Sequence, residues 1–523
     1  MTSGELLSLV PLFLATLVPA SLFVAAFLVS RQRSRSMSAA SFVATAAVAI
    51  AYLAVALRPV LSWLGFDART KVPTSVMNDV VQLDLVSSAM FVLVSTLALV
   101  VVRYSRTYLA GQRDLDRFAR SLLLTVASVT VLVTSNHLAV LVVAWFATDI
   151  GLHSLLTFYR TRRQAIIVAH KKFLLSRLAD ACFVSSIVII GGELGSLRID
   201  VVNAIARTSD GLSPTLHVAT CLLVFGVLLK SAQIPFHGWM QAVMEAPTPV
   251  SALLHAGVVN LGGLVLIRFA PLLAQAPAAL VVLAAVATVT VVLATLVTGT
   301  RVSIKVALAW STVAQMGFML LQVALGLPEM ALLHLVAHSL YKARAFLAAG
   351  SVVQRAQALR LAPVPRPSVG RWALAALTVP ATVVGAGVAT GVLATPAAGL
   401  AGAVLGFALV PLAAAGRLAA ALAVALGWFA GHAVASWLVG PAAFDVSPTL
   451  VAATGLALLL LFAIQAAIAL SPGCSMVRRL HPIAFGGFYV DERVSRALLA
   501  LWPVPEVPAS VPSLSSAPAG ARS

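Results

Sequence analysis

Apolar runs long enough to cross a membrane dominate this sequence. A spanning helix needs about 20 predominantly apolar residues, and by that length we count about thirteen to fifteen such runs, all between residues 6 and 470 of the 523-residue chain. Hydrophobic residues make up 60% of the chain and charged residues 10%, whereas soluble domains average about 25% charged residues. The sequence therefore predicts an all-α polytopic membrane protein and excludes a set of soluble domains.

The basic residues predict how the chain is oriented. The net charge is +18, but the basic side chains lie in short gaps between apolar runs, so we expect contact with membrane lipid and not with nucleic acid. The gaps after the first, third and fifth runs are the richest in arginine: Arg31, Arg33 and Arg35; Arg103, Arg106, Arg113, Arg117 and Arg120; Arg160, Arg162 and Arg163. Because basic loops stay cytoplasmic, this pattern predicts a multi-pass protein of the cell inner (plasma) membrane with its N-terminus outside.

The chain divides into five parts by composition. Residues 1–103 form N-terminal helices, and the opening run is read as a spanning helix because it lacks the basic start of a signal peptide. Residues 120–350 form a central block that holds nearly all polar residues found within apolar runs. Residues 371–470, rich in Ala, Leu, Val and Gly, are predicted to be a helical scaffold. Residues 472–501 are amphipathic, and residues 502–523 form a Pro/Ser/Ala tail predicted to be disordered.

The strongest polar signal is Lys230, which ends an apolar run five residues before Pro235. Proline removes a backbone donor and clashes with the preceding turn, so we expect the helix to break there. A lysine within the membrane costs about 2.5 to 3.5 kcal/mol on insertion scales and is by default a functional candidate. The alternative is a lysine near a helix end whose ammonium group reaches the membrane surface.

A second break is predicted at Pro247 and Pro249, and the helix that follows carries His255. Histidine changes charge near neutral pH and can pass a proton. A lone histidine is often only a hydrogen-bonded core residue. The position of His255 one helix after Lys230 makes the functional interpretation about as favoured as the structural one.

Three polar residues share one face of a later helix. His334, His338 and Lys342 are spaced at i, i+4 and i+8, which aligns them along the helix, and Lys305 lies in the preceding helix. Two histidines four apart can bind zinc, but no nearby Glu, Asp or Cys completes a ligand set. We therefore predict a hydrated proton path with no metal site and no catalytic residue.

Asp149 is the single acidic residue of its apolar run. It could be the counter-charge of a buried lysine, and a structural ion pair is an equally good interpretation. Arg177 and Asp180, three residues apart in the next run, could simply neutralise each other. The three cysteines, Cys182, Cys221 and Cys474, are too far apart to suggest a disulfide framework or a cysteine metal site.

Four motifs in order resemble the proton-translocating membrane family that includes the antiporter-like subunits of respiratory complex I and the large subunits of Mrp antiporters. They are KSAQIPFHGW at 230–239, APTPVSALLHA at 246–256, WSTVAQMG at 310–317 and HLVAHSLYK at 334–342. The resemblance implies an antiporter-like core over 120–350 with broken helices. It also implies that Lys230 is the broken-helix lysine, that His255 is the bridging histidine, and that Lys305, His338 and Lys342 belong to a central polar axis.

Further motifs, LHSLLTFY at 152–159 and KKFLLSR at 171–177, look like the membrane subunits of inorganic-carbon accumulation complexes. That likeness implies a transporter subunit that is not itself an enzyme and has no cofactor of its own. It implies that cation flow, taken to be H⁺, drives the accumulation of CO2 or bicarbonate. It also implies a large soluble partner of the DabA type, which would carry zinc and carbonic-anhydrase-like chemistry.

Two departures from the complex I pattern stand out. The glutamate of the fifth helix in complex I subunits matches Thr148 here, with Asp149 one residue further. The broken helix of their second half carries Lys or Glu, yet residues 372–395 contain neither. The alternative functions are a proton-pumping subunit of a complex I-like NADH-quinone oxidoreductase and an Mrp-type Na⁺/H⁺ antiporter subunit. A structural membrane scaffold is disfavoured by the number of ionisable groups within apolar runs.

Overall fold

The computed structural model describes residues 3–29, 36–64, 79–241, 245–351, 368–439 and 444–503. Within those ranges the chain is built from helices, and the β structure consists of two isolated bridges, Val81 with Ser135 and His137 with Arg198. Thirteen of the described helices are long and apolar enough to cross a membrane. The predicted all-α polytopic fold is confirmed, and the chain is a multi-pass membrane protein. Arg31, Arg33, Arg35 and the tail beyond residue 503 lie outside the described residues.

The N-terminal part consists of three long helices. They are α1 (Ser3–Val29), α2 (Ser36–Trp63) and α3 (Leu85–Tyr108). Asp84 caps the start of α3 by accepting a hydrogen bond from the Ser87 backbone N–H at 2.6 Å, which satisfies one of the free donors of the first turn. Because α3 continues to Tyr108 and the next helix begins at Leu115, Arg103 and Arg106 lie inside α3, and Arg117 and Arg120 lie inside the next helix. Of the five arginines predicted for this gap, Arg113 is the one that lies in it.

The central part begins with continuous helices and then becomes interrupted. Its elements are α4 (Leu115–Thr134), α5 (Leu138–Leu156), α6 (Arg163–Leu194), α7 (Ile199–Thr208), α8 (Pro214–Lys230), α9 (Gly238–Gln241), α10 (Thr248–Ala256), α11 (Leu261–Arg268), α12 (Ala270–Ala274), α13 (Pro277–Thr298), α14 (Ile304–Ala324) and α15 (Pro328–Leu347). Helix α8 ends at Lys230, so the predicted break before Pro235 is confirmed.

The C-terminal part holds four apolar helices and two short amphipathic ones. They are α16 (Val369–Ala389), α17 (Pro396–Ala414), α18 (Leu418–Val439), α19 (Pro448–Leu470), α20 (Ser475–Phe485) and α21 (Val490–Leu501). Pro380 lies inside α16 without ending it. Helix α16 therefore runs continuously through Pro380.

Contacts between connecting segments group the helix ends into two faces. On the first face, Arg162 pairs with Glu245 at 3.1 Å, and Thr248 binds the hydroxyl of Tyr108 at 3.1 Å and the ammonium group of Lys305 at 2.9 Å. These segments follow the third, fifth, seventh and ninth apolar helices of the chain.

The second face is formed by the remaining connections. Arg198 pairs there with Asp79 at 2.6 Å, and Arg268 donates to the side-chain oxygen of Gln82 at 3.3 Å. Alternation of the two faces along the chain is what successive membrane crossings produce.

A candidate cation path of buried lysines and histidines

Five ionisable side chains from three helices form one buried cluster, which we call the charged cluster: Asp149, Lys172, Arg177, Asp180 and Lys230. Asp149 binds Lys172 through one oxygen at 2.6 Å and Lys230 through the other at 2.7 Å. Lys230 also donates to Asp180 at 2.6 Å. Arg177 binds the second oxygen of Asp180 at 2.7 Å. Two carboxylates thus face three cations.

The charged cluster is shielded from solvent. The side chain of Lys230 is 3% exposed, and those of Lys172 and Asp149 are each 6% exposed. The Lys230 ammonium group lies 5.0 Å from the ring centre of Trp145, so an aromatic face also stabilises its charge. Since a buried charge is tolerated only when it is paired, each side chain in the cluster depends on the others being present.

The break after α8 gives Lys230 its position. Helix α8 packs closely on α6, because a Cβ atom at Gly226 would press on the ring of Phe183. The segment after Lys230 packs closely on α11, since a Cβ atom at Gly262 would overlap the hydroxyl of Ser231. These two close approaches hold the end of α8 between α6 and α11, where its last side chain reaches Asp149 and Asp180.

A second group of polar side chains lies further along the chain. We call His255, His334, His338 and Lys342 the histidine row. The imidazole rings of His334 and His338 have centres 6.1 Å apart, and His255 is within electrostatic range of both His338 and Lys342. Lys342 donates to the backbone carbonyl of Leu308 at 3.0 Å and to the hydroxyl of Ser311. The row thus brings α10 and α15 together.

Several polar atoms of the histidine row have no hydrogen-bond partner among the described protein groups. Both ring nitrogens of His338 and Nδ1 of His255 are in this condition, although His338 is 5% and His255 1% exposed. Buried polar groups are almost always satisfied by protein or ordered water. These nitrogens are therefore sites where water or a transferred proton would be stabilised.

The remaining predicted site residues lie around these two groups. Lys305 is half-buried on the first face and bound to Thr248, so the structure does not bring it into the histidine row. Pro247 precedes α10 and Pro249 lies in its first turn. Helix α10 ends at Ala256, and Asn260 beyond it donates to the hydroxyl of Ser339 at 2.7 Å. No hydrogen bond or ion pair joins Lys230 to His255 within the described residues.

The sequence alone does not decide which charged groups Asp149 and Asp180 bind. Thr148 donates to the backbone carbonyl of Ala144, so Asp149 is the side chain that meets the lysines. Arg177 and Asp180 do pair, but Asp180 also binds Lys230. Lys172 is a site residue that the sequence analysis missed. Helical spacing could have indicated it, because Lys172 lies on the same helix as Asp180, two turns before it.

The described residues contain no group of three or more His, Cys, Asp or Glu side chains placed to hold a metal ion. The three cysteines are not paired with one another. The candidate site is a set of charged and titratable side chains carried by helices, and side chains of these types can bind a cation or exchange a proton.

Comparison with known proteins gives one family match and several relatives. Residues 135–362 match the family model described as NADH:quinone oxidoreductase/Mrp antiporter, TM. The chain is 47% identical over 312 residues to the probable inorganic carbon transporter subunit DabB of Hydrogenovibrio crunogenus, covering 60% of each chain. It is also 47% identical to the probable inorganic carbon transporter subunit DabB2 of Halothiobacillus neapolitanus, covering 54% of this chain and 51% of that one.

A further relative is the NAD(P)H-quinone oxidoreductase subunit 5 of the Paulinella chromatophora chromatophore. It is 34% identical, with 52% of this chain and 42% of that protein covered. The chain therefore spans between about two fifths and three fifths of the length of these three relatives.

Two solved structures share the fold. The Mrp complex from Dietzia sp. contains a chain that matches with a TM-score of 0.57 at 20% identity, covering 93% of this chain and 56% of that one. The membrane-bound sulfane sulfur reductase, an archaeal respiratory membrane complex, matches with a TM-score of 0.58 at 18% identity, covering 92% and 99%. At these identities the likeness concerns the fold alone.

Proposed function

We propose that the chain is the cation-conducting subunit of an inorganic carbon transporter, since residues 135–362 match the family model described as NADH:quinone oxidoreductase/Mrp antiporter, TM. The conducted ion is H⁺, and its flow drives accumulation of CO2 or bicarbonate. The 47% identity to two probable DabB subunits favours this function over the two alternatives. The relative named as a quinone oxidoreductase subunit is 34% identical.

The observation that carries the proposal is the charged cluster at the end of the broken helix α8, together with the histidine row of α10 and α15. Lys230, at the end of the broken helix, shares Asp149 with Lys172. A proton leaving one of these lysines changes how strongly Asp149 holds the other. His255, His338 and Lys342 would continue the path, with water crossing the interval between Lys230 and His255. Histidine is suited to that relay because its charge changes near neutral pH.

The carbon chemistry would belong to a partner. In this proposal a soluble DabA-type zinc protein hydrates CO2 to bicarbonate and H⁺, and this chain supplies the energy of ion flow. A zinc-bound water loses its proton near neutral pH, which suits that reaction. The chain itself would act as a transporter subunit and not as an enzyme.

The orientation follows from charge. The first face carries the arginine-rich connections, with Arg113 between α3 and α4 and Arg160 and Arg162 between α5 and α6. In this proposal the first face is cytoplasmic, the protein lies in the inner (plasma) membrane, and the N-terminus is outside.

The proposal is tested by growth and by partner identification. The chain and its neighbouring genes are expressed in a host that lacks carbonic anhydrase and grows only at high CO2. We expect growth in air with the unaltered chain and no growth with Lys230→Ala. The exposed Arg207→Ala is the matched control and should grow like the unaltered chain. Rescue by Lys230→Ala would contradict the proposal.

Affinity purification of the tagged chain separates the alternatives. One large zinc protein in the eluate supports the carbon transporter. Several quinone-reductase subunits, or several small antiporter subunits, would overturn it in favour of the corresponding alternative. Zinc is measured directly on the eluate.

A further inference from the structure

The two C-terminal amphipathic helices lie on the first face, directly beside the charged cluster. The guanidinium group of Arg301, between α13 and α14, donates to the carbonyls of Ala484 and Phe485 at 3.3 and 2.9 Å. The ring of Trp502 packs on His170 and Phe173 of α6, with ring centres 5.1 and 5.7 Å apart. Contacts at both ends thus hold α20 and α21 against the helices of the central part.

Asp491, in the first turn of α21, meets the central part between these two anchors. Its carboxylate lies 3.2 Å from the ammonium group of Lys171 and accepts a hydrogen bond from Ser495 at 3.1 Å. It also rests against the backbone of α9, because a Cβ atom at Gly238 would overlap the Asp491 carboxylate. Any side chain larger than hydrogen at position 238 would collide with this carboxylate.

Asp491 stands at the boundary between the aqueous face and the buried groups. Its side chain is 30% exposed, that of Lys171 is 11% exposed and that of Lys172 is 6% exposed. Exposure thus falls in one direction, from α21 toward the charged cluster. Lys172, the residue after Lys171, is the one that binds Asp149 at 2.6 Å.

His237 lies beside the same carboxylate on the buried side. It is fully buried, it is within electrostatic range of Asp491, Lys171 and Glu492, and its ring packs on Trp310 at 4.9 Å. The ring nitrogens of His237 make no hydrogen bond of good geometry among the described groups, although the carbonyl of Pro235 lies near the ring. The carboxylates of Asp491 and Glu492 favour the charged imidazolium against the opposing effect of burial, so His237 is placed to receive a proton from this side.

Anchoring of the C-terminal helices does not explain Asp491. An ion pair with a partly exposed member contributes little to stability, and the contacts of Arg301 and Trp502 already hold the two helices. What Asp491 adds is a carboxylate at a point where exposure falls toward Lys172.

We propose that Asp491 is the entry carboxylate of the cation path, which takes protons from water at the first face and passes them to His237. Ionised Asp491 accepts a proton from hydronium and releases water. No hydrogen bond joins Asp491 to His237 among the described groups, so the carboxylic acid gives this proton through an intervening water to neutral His237, which becomes imidazolium, while Asp491 returns to its ionised form beside Lys171. The inference rests on the proposed proton conduction.

The test measures proton uptake by the purified complex in proteoliposomes with an internal pH dye and an imposed membrane potential. Asp491→Asn should lower the initial rate about tenfold or more, as expected for loss of a positioned proton carrier. Asp491→Glu, which keeps the carboxylate, should recover most of the rate. Asp210→Asn is the matched control, because Asp210 is an exposed acid away from His237 and the charged cluster, and it should stay near the unaltered rate.

A double variant separates proton entry from simple charge pairing. Asp491→Asn with Lys171→Gln leaves no unpaired ammonium group, so the chain should assemble even if Asp491→Asn alone does not. If Asp491 is the entry group, the double variant stays slow. Recovery of the rate in the double variant, or an unaltered rate in Asp491→Asn, would overturn the inference while proton conduction stands. If the unaltered complex takes up no protons, the proposed conduction itself is overturned, and the entry inference with it.

Discussion

Lys230 and Asp149 lie 81 positions apart in the chain, and their charged groups are 2.7 Å apart within the membrane-spanning helices. The other oxygen of the same carboxylate holds Lys172. One carboxylate therefore neutralises two lysines in part, and neither lysine can lose or gain a proton without altering the field at the other. Loss or gain of a proton at one end of the charged cluster thus changes the electrostatic field at its other end.

Removing the shared carboxylate should both weaken the fold and stop transport. Asp149→Asn leaves Lys172 without its ion-pair partner and Lys230 with Asp180, and removal of one partner from a buried ion pair costs about 3 to 5 kcal/mol. We expect a lower midpoint of thermal unfolding in detergent and loss of proton uptake in proteoliposomes. Asp210→Asn, at an exposed position, is the control. An unchanged midpoint in Asp149→Asn would show that the lysines do not need this charge.

Much of this arrangement could be predicted because membrane insertion makes each intramembrane charge conspicuous. Lys230, His255 and His338 were found from their apolar surroundings, and the break after Lys230 from the backbone chemistry of Pro235. Helical spacing placed His334, His338 and Lys342 on one face. In each case the physics is local, acting within one helix or across one turn.

Contacts between distant parts of the chain could not be predicted in this way. Nothing in the sequence near Lys171 indicates that Asp491, 320 positions later, lies beside it. The pairing arises because α20 and α21 fold back on the first face, and one sequence carries no signal for such a return. The same holds for Lys305, whose position in the helix before the histidine row suggested a place in that row, whereas the N-terminal turn of α14 holds it on the first face.

Close packing of α5 on α4 gives a prediction about stability. A Cβ atom at Gly151 would overlap the hydroxyl of Thr125 and press on its backbone, so Gly151→Ala forces the two helices apart. Overpacking of this kind costs about 1 to 3 kcal/mol, which should lower the midpoint of thermal unfolding. Gly192→Ala is the matched control, because that helical glycine has open space around its Cβ position. A Gly151→Ala midpoint equal to that of the control would refute tight packing here.

Lowering the pH should reduce the stability of the fold at the second face, because Asp200 there becomes protonated. Burial alone would raise the pKa of the Asp200 carboxyl, but hydrogen bonds from Arg198 and Asn136 outweigh burial and hold this pKa below its usual value. A carboxyl whose pKa is lower in the folded chain stabilises the fold at neutral pH. This contribution is complete above the unfolded-state pKa of about 3.9 and is lost as the pH falls through the lower folded-state value.

The measurement compares the unaltered chain with Asp200→Asn by thermal unfolding between pH 3 and 7, a range chosen to bracket the usual carboxyl pKa of about 3.9. We expect the unaltered chain to have the higher midpoint at pH 7 and the difference to shrink as the solution is acidified below pH ~4. A difference that stays constant over the whole range would exclude a stabilising ionised Asp200.

Two buried histidines allow the proton path to be separated from the scaffold. His338 lies in the histidine row, whereas His432 in α18 packs with its ring stacked on Trp428 at 5.6 Å. They are 5% and 7% exposed, and each has a ring nitrogen without a partner among the described groups. They differ in that Lys342 and His255 lie close to His338.

We therefore expect His338→Gln to lower proton uptake about a hundredfold, the lower end of the range for losing a positioned acid–base group, and His432→Gln to leave it nearly unchanged. Glutamine keeps a polar side chain in the same space but cannot exchange a proton near neutral pH. Both variants replace a buried imidazole with an amide, so comparable unfolding midpoints would show that any difference in uptake comes from proton transfer and not from packing. Equal loss of uptake in the two variants would assign both effects to the structure of the helices and remove His338 from the path.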